Sequence, residues 1–195
     1  MRIITLNREY GAGGHSVGQR VADELGIELY DKDIIRGSAE KIGIEPAKLE
    51  AEEEAITRRD AILRSINPVS YDQKDAMFEA ESGVILKLAS EGPCLILGRC
   101  ANVILRAAGI PSLNVFLFAD EEHRAKRVGE LIGTQDAAAI RRAMKKADQN
   151  RHAYYTHYTG LPWGDVQSFH LSLDSGALGY DTCVRLICQA ARDLD

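Results

Sequence analysis

A chain of 195 residues, 45% hydrophobic and 27% charged, can bury a core without disulfide or metal staples, and it fits one domain over residues 1–195 with a small lid. Its net charge of -5 at pH 7 argues against nucleic acid or an anionic membrane surface as partner, because both reward an excess of Lys and Arg; a local basic pocket for a small phosphorylated ligand stays possible. No apolar run reaches the length of a membrane span, MRIITLNRE turns charged too soon for a signal peptide, and Cys94, Cys100, Cys183 and Cys188 show neither CxxC nor zinc-like spacing, so free thiols in a reducing cytoplasm are expected.

In chain order, the β-branched run Arg2–Asn7 predicts a strand. Arg8–Gly14 is glycine-rich and too polar to be core. From His15 the period changes: Val17, Val21 and Leu25 recur at four-residue spacing and Gly26 stops the helix. Ile27–Tyr30 predicts a second strand that ends at Asp31. Lys32–Ile42 and Pro46–Ile66 read as helices, with Glu52–Glu54 as a solvated face, and Asn67-Pro68 breaks the pattern. Asp72–Ser90 is helical again.

Gly92-Pro93 introduces Cys94–Leu97 (CLIL), a continuous apolar strand of the kind that suits a parallel sheet covered on both faces. After Gly98-Arg99 comes a helix with Ile104, Leu105 and Ala108 on one side. Leu113–Phe118 is the next strand, and a helix follows from about Glu121. Asp136 to about Tyr155 is a long basic helix, His157–Gly164 a loop rich in Tyr, Gly and Pro, and Leu171–Leu173 a last strand. The final helix is expected to bury Val184, Ile187, Cys188 and Ala191. This alternation predicts an α/β fold with a parallel sheet and ligands at the carboxyl ends of its strands.

Gly11, Ala12, Gly13, Gly14, His15 and Ser16 sit where the first strand feeds the first helix. Glycines let backbone N–H groups converge on a phosphate, and the helix N-terminus adds a favourable dipole. Ser16 lies where a hydroxyl reaches a Mg²⁺ ion. Against the pattern G-x-x-x-x-G-K-[ST], Arg8 takes the first glycine's place, Gly13 matches the second, Gly14 replaces the lysine and His15 is an insertion. Arg8 is the nearest substitute for the missing lysine's charge, with Lys145, Lys146 and Arg151 as further sources from a lid. Two alternatives remain: a tight turn without ligand, and a dinucleotide fold. For the latter, Asp31 lies twenty residues after Gly11, but Ser16 stands where the third glycine of G-x-G-x-x-G belongs.

The segments REYGAGGHS, YDKDII, LILGRCANVIL, FLFADEEHRAKRV, KADQNRHAYYTHYTGLPWGD and LSLDSGALG occur in the order seen in the cytidylate kinase-like family of P-loop nucleoside monophosphate kinases, and the chain resembles that family over nearly its whole length. The resemblance implies a three-layer α/β/α P-loop NTPase-type fold with a five-stranded parallel sheet and a helical lid. It implies a phosphate loop over about 8–16, an acceptor-binding region over about 31–90 and a lid over about 141–165. The implied reaction carries the γ-phosphoryl group of ATP, with Mg²⁺, to a small-molecule nucleoside monophosphate, a CMP- or dCMP-like acceptor foremost. By resemblance, Gly11–Ser16 is the ATP loop and Arg99 holds the acceptor phosphate. Asp148 and Arg151 belong to the lid stretch that addresses base and phosphates. Asp31 lies near the acceptor nucleoside, and Arg124 matches the arginine on the helix after strand four. Gly14 stands for the family's lysine, Cys100 for an aspartate and Gln149 for a lid arginine.

Three residues follow as catalytic candidates, Arg8, Arg99 and Arg151, since phosphoryl transfer asks for positioning and charge neutralisation more than for a base. Arg99 follows a buried strand and could instead only pair with a carboxylate. Tyr154, Tyr155, Tyr158 and Trp163 could stack on a base, anchor the lid or form a subunit contact. Cys100 reads as a small packing residue. The lysine-less loop also admits a nucleotide-binding regulatory protein without turnover, and the dinucleotide reading a nicotinamide enzyme.

Overall fold

The structure is a computed structural model that describes residues 3–31, 35, 37 and 69–194. Apart from residues 35 and 37, the helices expected over 32–42 and 46–66, the Glu52–Glu54 face and the Asn67-Pro68 break lie outside the described residues, together with the stretch of the acceptor region up to residue 68. The described strands are β1 (Ile3–Arg8), β2 (Glu28–Tyr30), β3 (Cys94–Leu97), β4 (Leu113–Phe118) and β5 (Leu171–Asp174). The described helices are α1 (Gly14–Leu25), α2 (Val69–Glu91), α3 (Ala101–Ala107), α4 (Glu121–Ile132), α5 (Ala137–Thr159) and α6 (Ser175–Asp193), with a short 3-10 turn at Val166–Ser168.

All strand pairs are parallel, in the order β2-β3-β1-β4-β5. Period-two alternation sends β1 side chains to two covered faces. Ile4 and Leu6 join Leu95, Leu97, Val115 and Leu117 beneath α1 and α6, where Val17, Val21, Ile187 and Cys188 are buried. On the other face Ile3, Cys94 and Ile96 meet Val84 and Ile85 of α2 and Leu105 of α3. Full burial of one such Val or Ile contributes roughly 1.5–3 kcal/mol. The result is the expected three-layer α/β/α arrangement. The order also removes the dinucleotide alternative, whose sheet runs 3-2-1-4-5-6.

β1 carries polar residues into the core as well. Thr5 donates to Asn114 Oδ1 at 2.8 Å, and Asn7 donates at 3.3 Å to Asn102, whose amide donates at 2.9 Å to the Tyr155 hydroxyl. This chain of buried polar groups is satisfied internally and fixes α3 and α5 against the central strand. Three expectations need correction. β1 extends to Arg8, so that residue is set by the sheet. The glycine turn is not all surface, since Gly11, Ala12 and Gly14 are buried. α5 runs on to Thr159, where the left-handed Gly160 caps it; Tyr154, Tyr155 and Tyr158 are therefore helical, and the helix is held by their packing. The predicted burial of Val184, Ile187, Cys188 and Ala191 in α6 is observed, and all four cysteines are free and buried. Among the described residues no helix is long and apolar enough to cross a membrane.

Candidate functional site

The carboxyl ends of β1 and β3 open into a cavity of about 330 Å³, at the small end of the range for small-molecule sites. Arg8, Arg99, Arg151, Asn150, Tyr154 and Trp163 are among its lining. Three residues far apart in sequence thus converge, each delivered by a different element: Arg8 by the last position of β1, Arg99 by the turn after β3, and Arg151 by α5.

The Arg8 guanidinium makes no hydrogen bond or ion pair within the described residues. Burial first, then the neighbouring Arg151 and Arg99 charges, pull its guanidinium down to about 9, while Asp31 acts in the opposite sense. It remains a cation at neutral pH, in surroundings that already hold two others. Its side chain also explains two glycines. A Cβ on Gly14 would lie 2.5 Å from Arg8 Cγ, and one on Gly98 would lie 2.5 Å from Arg8 Nη1. The arginine stem therefore runs through the space where a side chain at position 14 would start.

Arg99 sits in an unusual turn. Gly98, Arg99 and Cys100 have φ of 82°, 56° and 56°, three left-handed residues in succession, two of which carry side chains. Each non-glycine residue so held costs roughly 1–2 kcal/mol, and such strain collects at functional sites. The Arg99 side chain is 11% exposed and meets Glu81 of α2 at 3.1 Å. Glu81 also accepts from the Tyr154 hydroxyl at 2.6 Å. Burial, with Glu81 next, pushes the Tyr154 phenol well above its usual value, so it acts as a donor. Cys100 lines the same cavity with a thiol that burial pushes up to about 12, a neutral packing group as expected.

Arg151 donates to the Arg8 carbonyl at 3.2 Å, pairs with Asp148 at 3.5 Å and lies 5.4 Å from the centre of the Tyr10 ring. Burial pulls its pKa down, opposed by Asp148. Asp148 is not turned into the cavity. It accepts the Tyr10 N–H at 2.7 Å and binds the Arg124 guanidinium, which also reaches the Tyr10 carbonyl and pairs with Glu9 at 3.5 Å. Arg124, matched by resemblance to the arginine on the helix after strand four, is thus engaged in fastening α4 and α5 to the glycine turn. Burial raises the Glu9 carboxyl, against the pull of Arg124.

In the turn, the Ala12 N–H bonds back to Glu9 and Tyr10 gives its N–H to Asp148, so two donors are used internally. Gly13 caps α1 without any side-chain hydrogen bond, and the first amides of a helix, here those of Gly14, His15 and Ser16, have no intrahelical partner. That uncapped end suits an anion. Ser16 is half-buried in the first turn; His15 is exposed and lies 3.9 Å from Asp31 at the end of β2. The Tyr180 ring packs on the Gly13 Cα.

The aromatic residues resolve into two groups. Tyr158 stacks on Phe78 of α2 at 4.1 Å and Tyr154 meets Phe78 edge-on at 6.3 Å, while Tyr155 is buried. They anchor α5, and Tyr154 and Tyr155 also line the cavity. Trp163, in the following loop, stands edge-on to Phe116 at 5.4 Å and lines the cavity. Lys145 and Lys146 are exposed, and Arg141 and Arg142 pair with Glu121 and Asp136. Sequence reasoning missed Tyr10, Glu81 and Asn150. Glu81 reads as one more acid in an EAES run, and only its place between Phe78 and Ile85, inward on α2, distinguishes it.

The model of the cytidylate kinase-like family matches residues 3–177. The chain is 24% identical over 187 residues to a cytidylate kinase of Pyrobaculum aerophilum, covering 95% of this chain and 90% of that one. It is also 24% identical over 188 residues to a cytidylate kinase of Ignicoccus hospitalis, covering 96% and 97%. A crystal structure of a protein from Eubacterium ventriosum superposes with a TM-score of 0.76 at 24% identity, covering 98% of this chain and 99% of that one. A shikimate kinase from Acinetobacter baumannii superposes at 0.55 with 15% identity, covering 100% and 95%.

Proposed function

The chain belongs to the cytidylate kinase-like family, and from that premise we propose that it transfers the γ-phosphoryl group of ATP to a nucleoside monophosphate, CMP or dCMP first among acceptors. One observation carries the reading: Arg8, Arg99 and Arg151 converge on one small cavity at the strand ends, and the Arg8 guanidinium has no hydrogen bond or ion pair within the described residues. A buried guanidinium crowded by two other cations, with no ion pair of its own among the described residues, calls for an anionic ligand.

In this reading Gly11, Ala12, Gly13, Gly14, His15 and Ser16 receive the ATP phosphates on the uncapped end of α1. Arg99 grips the acceptor phosphate. Arg8 and Arg151 neutralise the group in transfer. No base is assigned, because a monophosphate oxygen is already an anionic nucleophile. The acceptor lies between the Asp31 side of the sheet and Trp163, and residues 141–165 act as the lid. Asp148 acts indirectly, by holding Tyr10 and Arg124. The half-buried Ser16 hydroxyl fits a Mg²⁺ ion in the first turn. When bound, Mg²⁺ draws together and neutralises the phosphate oxygens.

A binding protein without turnover is favoured by one specific feature, the Asp148 contact that occupies the Tyr10 N–H in a loop lacking lysine. A coupled assay over the nucleoside monophosphates with ATP and Mg²⁺ separates the two. Diphosphate formed from a pyrimidine monophosphate is expected, with Arg99→Ala losing about 10²–10³-fold in kcat/KM. Tight ATP binding with no diphosphate from any acceptor would leave the binding protein as the correct reading.

A further inference from the structure

Glu81 is a carboxylate 2% exposed, set in an apolar helix face, and the phosphotransfer scheme does not use it. Its two oxygens serve different elements. Oε1 lies 3.1 Å from Arg99 Nη1, at the turn after β3, and Oε2 accepts at 2.6 Å from the hydroxyl of Tyr154, on α5. The Arg99 guanidinium also rests 5.5 Å from the centre of the Tyr154 ring. Taking a carboxylate and a guanidinium out of water is costly, and apolar groups of similar volume often give an equally stable or more stable protein. The arrangement therefore fits a geometric task better than a stabilising one.

We propose that Glu81 is a positioning residue: it aims Arg99 into the anion cavity and, through Tyr154, ties that aim to the placement of the lid helix α5. The inference rests on the phosphotransferase reading for its purpose, but its physical content is local. The side chain of Arg99 leaves a backbone of three successive left-handed residues, so the starting direction is set. The far end still has several rotatable bonds. Arg8 lies close enough to repel it, and the Glu81 carboxylate at 3.1 Å holds it against that repulsion. A guanidinium carries five N–H donors, so the contact to Glu81 is compatible with presenting others to the cavity that Arg99 lines. The second oxygen makes the placement conditional. When α5 carries Tyr154 away, the carboxylate loses the donor that fixes its own rotamer, and Arg99 loses its fixed anchor.

The test is a binding cycle on the whole chain with inorganic pyrophosphate as probe, read by calorimetry, with acceptor and ATP KM values beside it. Glu81→Gln retains an acceptor for the Tyr154 hydroxyl but drops the charge that holds Arg99. It is expected to weaken pyrophosphate about tenfold, the scale of one charge-assisted hydrogen bond. It should also raise the acceptor KM while leaving the ATP KM within about twofold. In an Arg99→Ala background the same change should add less than about twofold, because a residue acting through Arg99 has nothing left to position. Glu81→Asp should recover part of the loss. If Glu81→Gln fails to fold, Tyr154→Phe takes its place in the cycle, with a smaller loss that also vanishes without Arg99. Parental affinity in Glu81→Gln, effects that multiply with Arg99→Ala, or a parent that ignores pyrophosphate would each overturn the proposal. Pyrophosphate bound in the expected pattern with no diphosphate from any acceptor would instead overturn the kinase reading and leave the Glu81 link standing.

Discussion

Introducing the lysine that the phosphate-loop pattern demands should harm this protein. The reason is steric before it is electrostatic. A Cβ at position 14 would stand 2.5 Å from Arg8 Cγ, 3.0 Å from its Cβ and 3.1 Å from its Cδ. The close neighbour is the stem of the arginine, so no rotation of its tip relieves the contact. Overpacking of that kind costs about 1–3 kcal/mol, and a further ammonium added beside Arg8, Arg99 and Arg151 raises the cost. Gly14→Lys is therefore expected to lose about 2 kcal/mol, a fall of roughly 4–8 °C in Tm for a chain of this size. Arg8→Gly removes the stem and exposes a glycine in β1, at a cost of roughly 0.5–1 kcal/mol.

The double variant is the informative one. It places glycine at 8 and lysine at 14, which restores both ends of G-x-x-x-x-G-K, and the lysine then has the space the arginine vacated. Denaturant unfolding of the four proteins should show a favourable interaction of about 1–2 kcal/mol between the two changes, well outside the additivity of independent sites. ATP affinity, weakened in both single variants, should return toward the parent in the double. Additive stabilities within about 0.5 kcal/mol would show that Arg8 and position 14 do not share space, and the assignment of Arg8 to the lysine's task would fall with them.

Other expectations are simpler. Arg8→Met should raise the stability of the ligand-free protein by about 1 kcal/mol at pH 7 while weakening pyrophosphate, since it relieves repulsion among three arginines at the expense of the site. The folded pKa of Arg8, about 9, lies below its unfolded value of 12.5, first because of burial and then because of the neighbouring arginines, so the folded state carries that cost in full below pH 9 and the gap between variant and parent should narrow above it; a gap independent of pH 7–10 in thermal unfolding would contradict this. With Cys100 pushed up to about 12, its thiolate fraction at pH 8 is roughly one in ten thousand, and iodoacetamide should leave it intact in the native protein; rapid stoichiometric alkylation there would refute its burial. Tyr158→Ala removes the 4.1 Å stack on Phe78 and should loosen α5, costing about 3 kcal/mol and speeding proteolysis after Thr159; unchanged proteolysis would mean that the stack does not anchor α5.

Much of the fold could be read from local pattern. Cys94–Leu97 and Leu113–Phe118 are continuous apolar runs bounded by turn residues, and both appear as strands with those bounds. The glycine turn announced a strand-to-helix junction because no other residues fit there. What pattern could not convey was which of its donors would be occupied. Asp148 lies 138 positions from the Tyr10 amide it accepts, and nothing in KADQNR distinguishes a carboxylate that meets nucleotide from one that meets backbone. The tyrosine-rich stretch misled for a related reason. Tyr, Gly and Pro in succession suggest a loop, but Tyr154 and Tyr158 are one helical turn apart and both face Phe78, so tertiary packing carried the helix past them to Gly160. Glu81 was invisible because an acid in a polar stretch is ordinarily solvated, and its burial follows only from Arg99 and Tyr154 arriving from elsewhere.

The same distribution of contacts bears on how such a site could work without its lysine. In the lysine-bearing pattern the cation and the phosphate-binding amides belong to one continuous loop, so they are correct together or wrong together. Here the amides belong to the start of α1 while the charges come from β1, from the turn after β3 and from α5. Their relative placement depends on Arg151 bonding the Arg8 carbonyl, on Asp148 bonding the Tyr10 amide and on Glu81 joining Arg99 to Tyr154. Two of those three links run to α5 directly, and the third reaches it through Tyr154. The position of one helix therefore bears on whether the arginines converge, and a protein built this way gathers its charge only when α5 is in place.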